Sequence, residues 1–440
     1  MKHKTLFSIL VLLLFLSACS VQGNPTASQI PGQLSTPTAA ATSTLQGESA
    51  LASPTGTVNP TFIPTTQFPA SPAASCQVVQ AVPNPTDEVV SLIESDTVDS
   101  RSMGPKNARF VIDVFSDFQC PYCASFAPQV YKLTTTYPKD LRVVYHYLPL
   151  ASIHDKATLA AQGAEAAARQ GYFWAMHDAI FASQSQWQSM TIDAFSTWLQ
   201  DQAQSLGMNT AKFASDLKSQ DVIKAVNDSA TVAAKLNLNS TPSVIVNRLL
   251  RSSRNDVATI TSYLDFIKLA DKADTTCPPM SIDPKKQYNA TLKTEKGDII
   301  IALFPDKAPW AVNSFVHLAQ SGWYQGSGYF RVITGFMAQA GDPSNTGLGN
   351  PGYQYSNEVT PDLRFDKAGM VGMANAGADT NGAQFFITYA PIPNLDGKYT
   401  IFGEVISGMD VLQTIRPRNP DEDAILFDPD PILSITIEEN

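Results

Sequence analysis

This chain has no block of clustered lysines and arginines. Its 40 acidic residues outnumber 30 basic ones, for a formal net charge of -10, so nothing in it favours nucleic acid or anionic lipid, both of which demand concentrated positive charge. A GxxxxGK phosphate-cradling loop is also missing, and nucleotide use is not expected. His146, His154, His177 and His317 are scattered, with no HxxxH spacing or nearby carboxylate pattern, so neither a metal nor another cofactor is expected. The apolar run near the start falls short of the roughly 20 residues that a spanning helix needs. Cysteine is scarce, with five in 440 residues, and no internal repeat is evident. What remains is 44% hydrophobic, enough for most of the chain to bury cores in two or three domains.

The start resembles an export leader. Lys2 and Lys4 precede the run from about Leu6 to Leu16, and Leu16-Ser17-Ala18-Cys19 offers small residues to a peptidase. The order resembles the lipobox of bacterial lipoproteins, which implies that 1–18 is a removed signal peptide and that Cys19 carries a lipid. The alternative is an ordinary cleaved signal with an incidental cysteine. Either reading exports the protein and puts Cys76, Cys120, Cys123 and Cys277 where disulfides persist. Residues 19–75 are rich in Ser, Thr, Pro and Ala, too poor in large apolar side chains to offset the entropy of ordering, and are read as an extended tether.

Folded sequence is expected from 76. The run from Phe110 to Phe115 predicts a strand buried on both faces, Ala124 to Tyr137 has helical spacing, and Leu141 to Tyr147 predicts a second strand, together a βαβ unit. From about His154 to Asn237, apolar residues such as Phe173, Met176, His177 and Ile180 recur at helical intervals, so an all-helical block interrupts the framework. Strand character returns from Ser243 to Val246, and an amphipathic segment from about Asp256 to Ala270 completes a domain read as 76–277. After Cys277-Pro278-Pro279 the texture changes, and 287–440 is read as a second domain. There Ala290, Leu292 and Thr294, then Ile299, Ile301 and Leu303, alternate around Lys296-Gly297 as in a hairpin. Val312, Phe315, Val316 and Ala319 follow a first-turn Pro309 at helical spacing.

Cys120-Pro121-Tyr122-Cys123 lies where the buried strand meets the helix. Cys120 is thereby placed at a helix N-terminus, whose N–H groups and dipole stabilise a thiolate; Cys123, on the same face, can resolve a mixed disulfide. A zinc half-site and a structural disulfide are the other readings, the first disfavoured because no second Cys-x-x-Cys exists. With Ser240-Thr241-Pro242 and the helical insertion, FSDFQCPYC resembles the DsbA-type branch of the thioredoxin-like superfamily. The resemblance implies thiol-disulfide exchange and a cis-proline at Pro242, with Thr241 and Pro242 contacting substrate. Relatives commonly carry a buried acidic residue six positions before the nucleophile, where this chain has Val114 with Asp113 beside it, so a proton relay is left open. Cys76 and Cys277 flank the segment, and a disulfide between them would contribute about 4 to 5 kcal/mol by closing a long loop.

In the second half, YFRVITGFMAQAGDP from Tyr329, GMANAGADTNGAQFFIT from Gly372 and LDGKYTIFGEVISGMDVL from Leu395 resemble cyclophilins. Physically, isomerising X-Pro means twisting an amide over a barrier of about 18–20 kcal/mol, which needs an apolar slot for the ring and a donor to the pyramidalising nitrogen. The resemblance assigns the donor to Arg331 with Gln339 alongside, the slot to Phe336, Met337, Phe386 and Leu395, and the peptide groove to Ala374, Asn375, Ala376, Gln384 and Tyr399. Phe330, Asn394 and Tyr399 depart from residues frequent in relatives, which puts strong cyclosporin binding in doubt. The acidic run Asp421-Glu422-Asp423 is read as a solvated loop.

The expected architecture is multidomain: a thioredoxin-like α/β fold with an α-helical insertion, then an all-β cyclophilin-like barrel with flanking helices. The implied clients are exported proteins still folding, with X-Pro bonds and thiols, and a membrane redox partner is implied too; contact with the membrane would be through the N-terminal lipid alone. A peptide-binding chaperone with lapsed active sites is the competing reading, disfavoured by intact Arg331 and the intact cysteine pair.

Overall fold

The structure, a computed structural model, describes residues 75–423 and 425–440. Cys19, the leader and all but the last residue of the tether lie outside them. The described chain opens with β1 (Cys76–Val78) and α1 (Asp87–Glu94), then β2 (Ser102–Met103), β3 (Phe110–Ser116), α2 (Pro121–Thr136) and β4 (Leu141–Tyr147). β3 and β4 run parallel over their full length, confirming the βαβ crossover. Six helices follow: α3 (Ala157–Ala168), α4 (Phe173–Ala182), α5 (Gln184–Trp187), α6 (Ile192–Ser205), α7 (Thr210–Asp216) and α8 (Gln220–Lys235). The sheet resumes with β5 (Ser243–Val246) and β6 (Leu250–Arg251), and α9 (Val257–Lys268) follows, capped by the Asp256 carboxylate, which accepts from Thr259 N at 2.8 Å.

The strand order β2-β4-β3-β5-β6 puts β3 and β4 in the interior, which explains why both are buried along almost their whole length, the polar Asp113 and His146 included. Phe126, Val130 and Leu133 of α2 pack with Ile260 and Leu264 of α9 against one face. The helical block builds its own core from Ala160, Ala164, Phe173, Trp187, Phe195 and Leu199 around Tyr145 and Tyr147 at the end of β4.

The second domain contains β7 (Tyr288–Thr294), β8 (Gly297–Leu303), α10 (Pro309–Gln320), β9 (Arg331–Ile333), β10 (Met337–Ala340), β11 (Tyr353–Tyr355), β12 (Met370–Met373), β13 (Phe385–Thr388), β14 (Ile401–Ser407), α11 (Met409–Gln413) and β15 (Ile432–Glu439). Eight strands form one curled antiparallel sheet, β15-β7-β8-β14-β12-β13-β10-β9. Its two ends are brought together by a short irregular seam, Gly326 N donating to Ile432 O at 3.0 Å, Ile432 N to Ser327 O at 2.7 Å and Tyr329 N to Asp430 O at 3.0 Å, so the expected barrel is a sheet curled on itself. α10 starts at Pro309, and the buried Glu358 accepts from Trp310 N and Ala311 N at 3.0 and 2.8 Å.

Cys76 and Cys277 are joined, with Cα atoms 6.1 Å apart. The bond closes the 76–277 stretch end to end, as expected, and the closed ends also rest on the second domain. β1 pairs antiparallel with β11 of the second domain, Asp274 N donates to Pro351 O at 2.8 Å, and Ser281 N to Asn313 Oδ1 at 2.7 Å. Both ends of the 76–277 stretch are therefore fastened to the second domain. A three-residue strand has no periodicity to reveal this in the sequence. Among the described residues no helix is long and apolar enough to cross a membrane, and no group of three or more His, Cys, Asp or Glu is placed to hold a metal ion.

Candidate active sites

Cys120 is the N-cap of α2, with Pro121 in the first turn, where its missing N–H costs nothing. Its Sγ lies 3.4 Å from Thr241 O, and the Thr241–Pro242 bond is cis, so the segments FSDFQCPYC and Ser240-Thr241-Pro242 meet as the family pattern requires. The Cys123 thiol, the Thr241 side chain and the amides at the helix start together pull the Cys120 thiol down to about 5. Cys123, 1% exposed, is pushed far up by burial and by the neighbouring Cys120. The pair is thus divided into a thiol held ready to ionise at the helix start and a more deeply buried, protonated partner.

The loop before the thiols is held by residues that sequence reasoning passed over. The Asp117 carboxylate, buried, accepts from Gln119 N at 2.7 Å and Leu150 N at 2.8 Å and pairs with His154 Nδ1 at 2.8 Å. Asp117 N donates to Cys123 Sγ at 3.5 Å. Gln184, from α5, donates to Phe118 O and Cys120 O at 2.8 and 3.0 Å; this ties the helical insertion to the redox loop. Asp117 could have been suspected as an acidic residue in an otherwise apolar run, whereas nothing marks Gln184.

Asp113 does not serve the thiols. It faces the other side of the sheet, where it contacts His146 Nε2 at 3.1 Å, and His146 Nδ1 lies 2.6 Å from Asp96. Burial disfavours charge on His146, but the two carboxylates outweigh it and raise its pKa. Val114, on the thiol side, lines a small apolar cavity behind Cys123 with Ser116, Tyr145 and His177.

In the second domain, Arg331 of β9 stands opposite Gln339 of β10, Gln339 opposite Phe386 of β13, and Phe386 opposite Gly372 of β12. Residues directly opposed on antiparallel strands present their side chains to one face, so these four form a row across the sheet. Alternation does the rest: Ala338, Ala340, Phe385 and Ile387 point into the main core, while Met337 and Phe386 join Ala374, Leu395 and Phe365 in a separate apolar cluster, with Phe336 and Tyr399 packed against it. A Cβ on Gly372 would meet Phe386 Cζ at 2.6 Å, so only glycine lets that ring lie flat across the row.

Gln339 Nε2 donates to Gln384 Oε1 at 3.0 Å, and Gln384 Nε2 donates to Gly347 O and Gly349 O at 2.9 and 3.1 Å. The loop carrying those carbonyls is wound around Asp342, which accepts from Ser344 N, Gly347 N and Gly349 N. Asp342 is the positioning residue the sequence reading missed. Asn375 bonds Asn357 and Asn381 at 3.3 Å, and Ala376 is exposed beside it. Arg331 is 2% exposed, and its Nε and Nη1 have no hydrogen-bond partner. A guanidinium held dry and unsatisfied beside an apolar slot is equipped to donate to a ligand.

Comparison with known proteins agrees with both halves. A family described as Cyclophilin type peptidyl-prolyl cis-trans isomerase/CLD matches residues 289–437, and one described as Thioredoxin matches 96–266. The chain is 44% identical over 178 residues to peptidyl-prolyl cis-trans isomerase A of Mycobacterium tuberculosis, covering 37% of this chain and 98% of that protein. It is 46% identical over 148 residues to a peptidyl-prolyl cis-trans isomerase of Helicobacter pylori, covering 31% and 91%. A solved cyclophilin type isomerase of Cryptosporidium parvum is 36% identical, covering 35% of this chain and 99% of that one, with a TM-score of 0.33.

Proposed function

Because the chain belongs to the cyclophilin-type peptidyl-prolyl cis-trans isomerase family through its second domain and carries a thioredoxin-like first domain, we propose that it is an extracytoplasmic folding catalyst acting on X-Pro bonds and thiols of the same exported clients. The proline ring enters the slot of Phe336, Met337, Phe386 and Leu395. Arg331 donates to the prolyl nitrogen as the amide twists and its lone pair localises, an interaction stronger in the transition state than in the planar ground state. Gln339, fixed through Gln384, orients the chain, and Ala374, Asn375, Ala376 and Tyr399 line its path.

In the first domain we assign DsbA-type exchange. The Cys120 thiolate and the Cys123 thiol are the reduced couple. In the oxidised form, a client thiolate attacks Cys120 Sγ, the Cys120–Cys123 bond breaks, and Cys123 leaves as a thiolate that takes a proton. A second client thiolate then displaces Cys120 and closes the client disulfide. Two electrons remain on the pair, so a membrane redox partner must remove them. Stabilising the Cys120 thiolate favours this reduced product, which supports the donating direction.

The export-like leader and the Cys76–Cys277 bond support a site outside the cytoplasm, with Cys19 as lipid anchor. A common anchor raises each domain's effective concentration on a shared client. The observation that carries the reading is the row Arg331–Gln339–Phe386 over the apolar slot. Prolyl-peptide turnover tests it: Arg331→Ala should lower kcat/KM by about 10²- to 10³-fold, whereas equal rates would leave a peptide-holding chaperone.

A further inference from the structure

The acidic run Asp421-Glu422-Asp423 is a solvated turn, as expected, with Asp421 and Glu422 exposed, but it is held against Arg331. Arg418, just before it, bridges β9 in both directions, with Val332 N donating to Arg418 O at 2.7 Å and Arg418 N to Val332 O at 2.9 Å. Asp423 folds back on Asn419, its N donating to Asn419 O at 2.9 Å and its carboxylate accepting from Asn419 N at 2.7 Å. The guanidinium of Arg254, in the first domain, donates to Asp423 O. Held this way, Asp421 Oδ2 stands 3.9 Å from Arg331 Nε, with the Asp421 side chain 47% exposed, and Glu422 is exposed beside it. Asp421 and Glu422 both act electrostatically on Arg331.

We propose that Asp421 and Glu422 are a specificity rim for the isomerase site, selecting X-Pro segments that carry a Lys or Arg next to the reacting dipeptide. The proposal rests on the isomerase reading above. Arg254 and Arg418 stand by Asp423, which leaves the exposed carboxylates of Asp421 and Glu422 set against one buried cation, Arg331, so the side of the site next to Arg331 is negative toward an arriving chain. A cationic client residue pairs with the rim and leaves Nε and Nη1 of Arg331 for the twisting amide. An acidic residue there meets two like charges, which costs binding.

The test uses the full chain and blocked peptides with Lys, Gln or Glu at the residue before Ala-Pro, and a second set varied at the residue after proline. At low salt the Lys peptide of at least one set should exceed its Glu counterpart in kcat/KM on the order of tenfold, shrinking toward about twofold at high ionic strength. In Asp421→Asn/Glu422→Gln that ratio should fall to near unity. A ratio near one in the native chain in both sets, or a ratio unchanged in the double variant, overturns the proposal. If no peptide is turned over, the isomerase reading is what fails. The rim is then judged by equilibrium binding of the same peptides, fluorescently labelled: a Lys preference abolished by the double variant sustains it, and equal affinities overturn it.

Discussion

The two candidate active sites place a reactive group almost out of solvent's reach, Cys120 at 5% and Arg331 at 2% exposure, yet the fold does opposite things with the charge. At Cys120 the helix start and the Cys123 thiol create a charge that an ordinary cysteine lacks near neutrality. At Arg331 the charge is permanent; burial lowers its pKa, with Asp421, Glu422 and Tyr399 opposing, and the strand register decides only where it points. One site is built by tuning ionisation and the other by placing a fixed donor. The first should therefore respond to pH and to loss of a single atom, the second to shape and to nearby charge.

Removing the tuned atom is the most severe test. Cys120→Ser should cut the rate of client dithiol oxidation by at least about 10³-fold, with prolyl-peptide turnover unchanged, and Cys123→Ser should trap clients as mixed disulfides at Cys120. Retained oxidation in Cys120→Ser would mean that the cysteine pair is not the exchanging couple. Less drastic is the pH response. Raising pH through about 5 populates the Cys120 thiolate, so alkylation of the reduced protein should reach half its plateau there and not near the free-thiol value of about 8.5. At pH 6 it should outpace a free thiol on the order of tenfold, because the greater thiolate fraction outweighs its lower nucleophilicity. Prolyl-peptide turnover should not share that midpoint.

Shape governs the second site. A Cβ at Gly372 would meet Phe386 Cζ at 2.6 Å and Phe365 Cζ at 2.9 Å, forcing the Phe386 ring into the slot. Gly372→Ala should cost about 1–3 kcal/mol of stability and raise KM several-fold more than it lowers kcat, read by thermal unfolding and peptide kinetics. An unchanged KM would separate Phe386 from the proline slot.

What was legible in the sequence follows the same divide. The cysteine spacing with its strand-to-helix context, and the blocks around Arg331, Met337 and Phe386, are local patterns, and the structure brings each together. Gln184 and Asp342 were not legible, and Asp117 could be suspected but not assigned a task, because all three act by accepting from or donating to backbone groups of loops whose course no periodicity encodes. The histidines teach a related lesson: His146, His154 and His317 each meet an aspartate distant in sequence. The acidic run at Asp421 is surface, as read, but its closeness to Arg331, ninety residues upstream, was not legible.

The smallest expected effect on activity concerns the joint that makes the comparison possible within one chain. β1 pairs with β11 of the second domain, and the Cys76–Cys277 bond ties β1 to the other end of the 76–277 stretch, away from both Cys120 and Arg331. Cys76→Ser/Cys277→Ser should lose about 2–5 kcal/mol of stability, read by thermal unfolding, yet under conditions where the variant is folded, thiol exchange and prolyl turnover measured on separate small peptides should each stay within about twofold. Within the folded state the change should be local: faster hydrogen exchange at the amides of Val79 and Asp274, which donate to Gly352 O and Pro351 O across the joint. If either activity collapsed with the bond, the two sites would not be independent devices, because one would depend on being held against the other.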